Sequence, residues 1–230
     1  AVEMPLTVSY RCPKAVVREA RKYVSHIESA PEAIESEVKY VSATDLHTVV
    51  QKGDMVLSRT NAPLLDTCFY LIARNVPAKI MGRDLAKSLI SLIDNMKAGE
   101  DVDYLLKRLE LWADREVTKA EAKDDQAKAM SIQDSYECIL TVVDNLPEDR
   151  RSVSECKARL ELLFDEERSG GIVVLSSVHK AKGLEADNVF ILNPNKLMLQ
   201  LSQPWQIQQE TNIAYVAVTR AKKVLTYVEK

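Results

Sequence analysis

Near the end of the chain, Ile172-Val173-Val174-Leu175 forms an apolar run with no polar alternation, and Asn188-Val189-Phe190-Ile191-Leu192 repeats the pattern. A strand that offers water no face is expected in the middle of a parallel sheet covered on both sides. A helical period over 205–221 and a final β-branched run at 224–228 complete a β–loop–β–α–β ending, the unit from which doubly wound sheets are built. Upstream, strands are predicted at 6–10, 38–42, 54–59 and 76–81. They alternate with helices opened by Pro13, Thr44 and Asn61 or Pro63 and with a helix over 84–97.

Between these flanks the pattern is helical. Amphipathic stretches start at Val102, at Ile132 and at Val153. Residues 116–128 are polar on all sides, which suits a solvent-exposed helix or a connection equally. Ser169-Gly170-Gly171 then interrupts the chain. The organisation expected is one α/β domain over 1–98 and 169–230, with a helical insertion over 99–168.

The net charge of −3 hides an asymmetry. The two flanks together hold 20 Lys and Arg against 15 Asp and Glu, whereas 99–168 holds 11 against 19. Charge distribution steers polyanions, so a nucleic-acid partner belongs to the flanks and a protein partner to the acidic insertion. No apolar run nears the roughly 18 residues that span a bilayer, and no export signal opens the sequence, so no membrane role is expected. Cys12, Cys68, Cys138 and Cys156 have neither disulfide-like nor metal-ligand spacing and read as reduced thiols of a cytoplasmic protein, with no metal site. His26 and His47 are isolated, and Phe164-Asp165-Glu166-Glu167-Arg168 follows a helical period and reads as a solvated helix end.

Three segments carry chemistry. Ser177-Val178-His179-Lys180-Ala181-Lys182-Gly183-Leu184-Glu185 follows the first buried strand, and Tyr215-Val216-Ala217-Val218-Thr219-Arg220-Ala221 ends the helix. In the latter, Arg220 continues the helix's own apolar stripe from Ile213, an unusual place for a guanidinium. Leu6-Thr7-Val8-Ser9-Tyr10-Arg11-Cys12-Pro13 lies at the other end of the chain. In this order the three resemble signature motifs of the UvrD/Rep-like superfamily 1 DNA helicases, specifically the second RecA-like motor domain. Serine stands at Ser177 where that family commonly has threonine, and at Ser9 where it has asparagine.

The resemblance implies a RecA-like, P-loop-NTPase-type parallel sheet with flanking helices. It further implies ATP with Mg2+ as cofactor, Arg220 as an arginine finger and Arg11 as a second γ-phosphate contact. Tyr10 would stack on adenine, Glu185 would accept from the ribose hydroxyls, and Gly183 would let the backbone approach the ligand closely. Ser177 and His179 would touch single-stranded DNA. Ser58-Arg59-Thr60-Asn61 resembles a further family segment and adds Arg59 and Asn61 as nucleic-acid contacts, in line with the affinity of helix N-termini for phosphate.

None of the six glycines precedes a lysine, so no Gly-Lys-Ser/Thr phosphate loop can be written in these residues. The resemblance therefore implies the carboxyl-terminal motor half of an ATP-dependent DNA helicase or translocase, with Mg2+ held by an N-terminal motor domain outside the chain. This half alone would be inactive. The alternatives are an ATP-independent binding module that kept the fold and a part of a RecB-like helicase–nuclease.

Overall fold

The computed structural model describes residues 7–165, 171–201 and 203–229. In chain order its elements begin with β1 (Val8–Ser9), α1 (Lys14–Ala20), β2 (Glu28–Ser29), β3 (Val38–Ser42), α2 (Leu46–Val49), β4 (Met55–Ser58), α3 (Ala62–Ile72) and β5 (Ala78–Met81). They continue with α4 (Arg83–Met96), α5 (Val102–Glu121), α6 (Gln126–Asp144), α7 (Val153–Leu163), β6 (Phe164–Asp165), β7 (Val173–Ser177), β8 (Ala186–Leu192), α8 (Pro204–Val218) and β9 (Ala221–Glu229). Two compact units result: Ala1–Arg59 with Gly170–Lys230, and Thr60–Ser169.

In the first unit five strands pair in the order β3-β9-β8-β4-β7, every pair parallel. The expected α/β class with a RecA-like parallel sheet is found. All residues of β4 and β7 are buried, which is why those segments carry no polar alternation. Met55 and Leu57 of β4, Val189 and Ile191 of β8, and Leu225 and Tyr227 of β9 share one core. Val16, Val17 and Ala20 of α1 and Ile213, Ala214, Ala217 and Val218 of α8 pack into the same core.

Pro13 precedes α1 as anticipated, but the helix stops at Ala20 and turns follow it. Strand β1 falls within the strand expected at 6–10, but its two-residue partner β2 was not anticipated, because two residues leave no periodic trace. Asp45, not Thr44, occupies the N-cap of α2, and the Thr48 hydroxyl donates to the Asp45 carbonyl at 2.7 Å.

The second unit holds α3 to α7 and a parallel β5–β6 pair. Compactness thus groups α3, β5 and α4 with the helices of the expected insertion, and the division falls at 59/60 instead of 98/99. The tie is specific: Asp134 of α6 caps α3, and Lys157 of α7 pairs with Asp94 of α4 at 2.9 Å. The polar stretch at 116–128 resolves into the last turns of α5, a short connection and the start of α6. Asp101, Asp125 and Ser152 accept backbone N–H bonds at the starts of α5, α6 and α7, satisfying donors a helix cannot satisfy itself.

The solvated helix end expected at Phe164 is instead the start of β6. Phe164 is buried and pairs with Ile80, because the chain turns extended once α7 ends at Leu163. The remainder of that acidic run, from Glu166, and Ser169-Gly170 lie outside the described residues.

Candidate functional site

Sheet register separates the candidate residues of the first unit into two groups. Met55 pairs with both Val174 and Val189, so Ser177 at the end of β7 lies level with Leu192 at the end of β8. Glu185 precedes β8 and Arg220 precedes β9, both at the opposite edge. Strand rise puts roughly 20 Å between the two edges. The 178–185 connection runs from one edge to the other, pinned where Val178 and Ala181 enter the core and where the Val178 N–H donates to the Ser58 carbonyl at 3.0 Å. The signature segment therefore does not lie wholly beyond the carboxyl ends of the strands.

At the amino edge, Arg220 is buried at 8% exposure. Its Nε donates to the Val216 carbonyl at 2.9 Å, Nη1 to the Leu184 carbonyl at 3.1 Å and Nη2 to the Thr219 hydroxyl at 3.3 Å. All three acceptors are neutral. Burial, then the neighbouring Arg11 cation, lowers the guanidinium's pKa from its ordinary value. Arg11 itself pairs with Glu185, Nε to Oε2 at 3.2 Å, and Lys222 approaches the same carboxylate at 3.8 Å. Tyr10 stands 78% exposed, with its ring available for stacking. Cys12 tethers this segment: it is buried, and its thiol donates to the Thr219 carbonyl at 3.6 Å, next to Arg220. Burial pushes that thiol's pKa up, so it is held as a neutral group.

Gly183 has a φ of +88°, and a Cβ added there would meet nothing within 4 Å. The turn needs glycine for its backbone conformation, and no close neighbour demands it.

At the carboxyl edge, Ser177 is buried, while His179 is exposed on the following turn. Partial desolvation lowers the imidazole's pKa, the Arg59 cation lowers it further, and Glu210 acts in the opposite direction. Arg59 is committed elsewhere: its Nε and Nη2 donate to the two Glu210 carboxylate oxygens at 2.8 and 2.6 Å. Glu210 also accepts from the Leu199 N–H at 3.0 Å. Arg59 thus presents no free fork to a phosphate, and its bonds to Glu210 tie the end of β4 to α8.

Asn61 belongs to the second unit. Its N–H lies 2.9 and 3.0 Å from the two Asp134 carboxylate oxygens, and its Nδ2 donates to Oδ2 at 2.8 Å. The Ala62 N–H donates to the same carboxylate at 2.9 Å. The N-terminus of α3, expected to attract a phosphate, is already supplied with an anion.

Two residues that matter here, Glu210 and Asp134, were absent from the sequence expectations, and Cys12 was read only as a reduced thiol, without its tethering role. Glu210 had a readable signal, since it lies on the buried helical stripe with Gln206, Ile213, Ala214 and Ala217. A carboxylate in that position demands a cation. Asp134 and Cys12 had none, their partners being remote in the chain.

Among the described residues no group of three His, Cys, Asp or Glu side chains could hold a metal ion, and no helix is long and apolar enough to cross a membrane. The four cysteines are free and buried.

The family profile of the UvrD-like helicase C-terminal domain matches residues 95–229. The chain is 27% identical over 187 residues to F-box DNA helicase protein 1 of Schizosaccharomyces pombe, covering 74% of this chain and 20% of that protein. It is 29% identical over 154 residues to the ATP-dependent DNA helicase PcrA of Staphylococcus aureus, covering 62% of this chain and 20% of that protein. The crystal structure of the C-terminal domain of a possible DNA helicase from Lactobacillus plantarum aligns with a TM-score of 0.43 at 12% identity, covering 96% of this chain and 87% of that one. The chain spans about a fifth of the length of the two curated relatives.

Proposed function

Because the chain belongs to the UvrD-like helicase C-terminal domain family, we propose that it is the C-terminal motor half of an ATP-dependent DNA helicase or translocase. Its activity then belongs to a longer protein, since the relatives named as helicases are about five times its matched span. The observation that carries this reading is the Arg220–Arg11 pair. A buried guanidinium with only neutral acceptors stands beside a second cation, and an arriving polyphosphate relieves both the like-charge crowding and the desolvation.

Phosphoryl transfer is catalysed mainly by positioning and by cations set against developing negative charge. Arg220 is held in place before the nucleotide arrives by the Val216 and Leu184 carbonyls, so no rotamer freedom is lost at that moment. Arg11, on the surface, exchanges Glu185 for the γ-phosphate, which frees the carboxylate to accept from the ribose hydroxyls. Tyr10 offers its exposed ring to adenine. Gly183 sets the turn that brings Leu184 and Glu185 to this edge. Mg2+ falls to an N-terminal motor domain, whose carboxylates this chain does not supply.

Single-stranded DNA is assigned to the opposite edge, with Ser177 and His179 as contacts and Arg59 as a positioning residue. Asn61 would reach a phosphate only by leaving Asp134. The acidic helical unit is assigned to a protein partner.

The test is Arg220→Glu in the complete protein. ATP turnover should fall by about 10³ or more, with single-stranded DNA affinity kept within a few-fold. Retained turnover removes Arg220 from the finger role. Turnover and translocation of the complete protein left unchanged by substitution of both Arg11 and Arg220 would place the motor outside this chain and favour its reading as a binding module.

A further inference from the structure

On α5 the core-facing residues are Val102, Leu105, Leu109, Ala113 and Ala120. The opposite face should be uniformly polar in a helix that only meets water. Instead Tyr104 is 46% and Leu111 62% exposed, and both line a groove of about 510 Å3 with the half-buried Trp112. Lys107, Arg108 and Arg115 also line this groove, its other wall is Leu92, Asn95 and Met96 of α4, and among the described residues no carboxylate lines it. Positions 104, 108, 111 and 115 recur every three or four residues, so the stripe runs straight along the helix for roughly 16 Å.

We propose that this groove docks an acidic amphipathic helix of a partner protein. The proposal narrows the reading of this unit as protein-facing by naming the chemistry of what binds. Exposed aromatics and arginines gathered in one concavity are the composition of interface cores. A groove on a helix pair accepts a helix that lays its apolar stripe inward.

The charge argument selects the partner. Among the described residues Lys107 and Arg108 have no carboxylate within ion-pair distance. Arg108 instead reaches its own Tyr104, with its guanidinium 5.7 Å from the ring centre and Nη1 donating to the hydroxyl at 3.3 Å. Arg115 shares Glu116 with Lys119. Three local cations suit two or three carboxylates on a short helix. A nucleic-acid strand has the stacking surface it needs here, but it carries charge along its whole length. Beyond the groove it meets an acidic segment, 19 Asp and Glu against 11 Lys and Arg over 99–168.

The test titrates the chain with a fluorescein-labelled helical peptide bearing Leu at every third or fourth position and Glu on either side. Its Glu→Gln counterpart and an oligo-dT of similar length are run in parallel. The acidic peptide should bind saturably, and Lys107→Glu with Arg108→Glu should weaken it about tenfold or more. The Gln peptide should lose a similar factor, consistent with desolvated charge pairs at an interface. Leu111→Ala, which removes an exposed side chain and threatens no core, should also weaken binding.

No saturable binding, or equal binding of the Glu and Gln peptides, overturns the proposal. Oligo-dT that binds and is lost in the charge-reversed variant overturns it in favour of a nucleic-acid surface. ATP turnover of the complete protein should be unchanged in the groove variants, so failure here is distinct from failure of the Arg220 test.

Discussion

Removing Glu210 should be the most damaging single change at the carboxyl edge of the sheet. Glu210→Ala leaves Arg59 without its counter-ion, and the two side chains are only 15% and 4% exposed. Breaking a buried pair from one side costs about 3–5 kcal/mol, because the remaining charge is stranded. Arg59 retains some reach to water, which favours the lower end, and the Leu199 N–H loses its acceptor, which adds about 1 kcal/mol. We expect about 3–4 kcal/mol in total. With a urea m-value of about 2–3 kcal/mol per molar, the midpoint should fall by roughly 1–2 M.

The double variant Arg59→Met/Glu210→Met should cost less than Glu210→Ala alone, because two apolar groups in place of a buried pair are often nearly neutral. Urea melts followed by circular dichroism measure all three proteins. A Glu210→Ala loss below about 1 kcal/mol, or a double variant as damaging as the two single changes combined, would falsify the claim that this pair is a desolvated charge couple. NMR titration of His179 provides a second readout. Without Glu210, the influences that remain on the imidazole, burial and Arg59, both lower its pKa, so it should titrate at still lower pH.

Gly183→Ala should lower stability by about 1–2 kcal/mol through backbone strain alone, since open space surrounds the added methyl, and Gly183→Asn should lose less. Equal melting temperatures for glycine and alanine would show that the turn does not need its positive φ. Asp134→Ala strips the α3 start of its acceptor for two backbone N–H groups and should cost about 1–2 kcal/mol. Faster amide exchange at Asn61 and Ala62 is the local signature to seek.

Acid should weaken the first unit in two windows. Burial would raise the Glu210 pKa, but the Arg59 and Leu199 hydrogen bonds outweigh it and the net shift is downward, so its contribution is present above the ordinary glutamate range and fades as pH falls below about 4.5. His179 is likewise depressed, so the folded state binds fewer protons than the unfolded chain and stability declines as pH drops from about 6.5. A urea midpoint flat between about pH 7 and pH 5 would contradict the His179 shift, and one flat from about pH 4.5 down to pH 3 would contradict the Glu210 shift.

The elements legible in the sequence are those whose signal is local. Strand β3 falls at 38–42 as the pattern indicates, and the apolar runs at 172–175 and 188–192 lie within β7 and β8 apart from Ile172. A strand buried on both faces has one composition available to it. What escaped was either too short or too distant. Strand β2 has two residues, and β6 starts on a residue that also completes a helical period.

The partners of Arg59 and Asn61 lie 151 and 73 positions away. The resemblance of Ser58-Arg59-Thr60-Asn61 to a family segment named both as nucleic-acid contacts, in line with the affinity of helix N-termini for phosphate. Tertiary structure had already given each an anion. Arg220 is the converse case: its place on an apolar stripe was visible from spacing and the guanidinium is buried there, but the neutral identity of its acceptors was not readable from that spacing.

The two edges of the sheet are not independent, because α8 runs between them. Its 15 residues rise about 22 Å, close to the strand-derived distance between the edges. Near the middle of α8 Glu210 holds Arg59 and the Leu199 N–H, and at its carboxyl end the Thr219 carbonyl accepts from Cys12 while Thr219 and Val216 accept from Arg220. The 178–185 connection makes the same journey, from the turn bearing His179 to the Leu184 carbonyl that holds Arg220. Two chains of contacts thus lead from the Arg220 guanidinium, one along α8 to the Arg59–Glu210 pair and one along the 178–185 connection to the end of β4. Under the proposed function these contacts join the nucleotide edge to the nucleic-acid edge, and any coupling between the two is a measurable free energy. Pairing Arg220→Lys with Arg59→Met in a double-mutant cycle on DNA affinity measures it. Strict additivity would mean that α8 is a passive spacer.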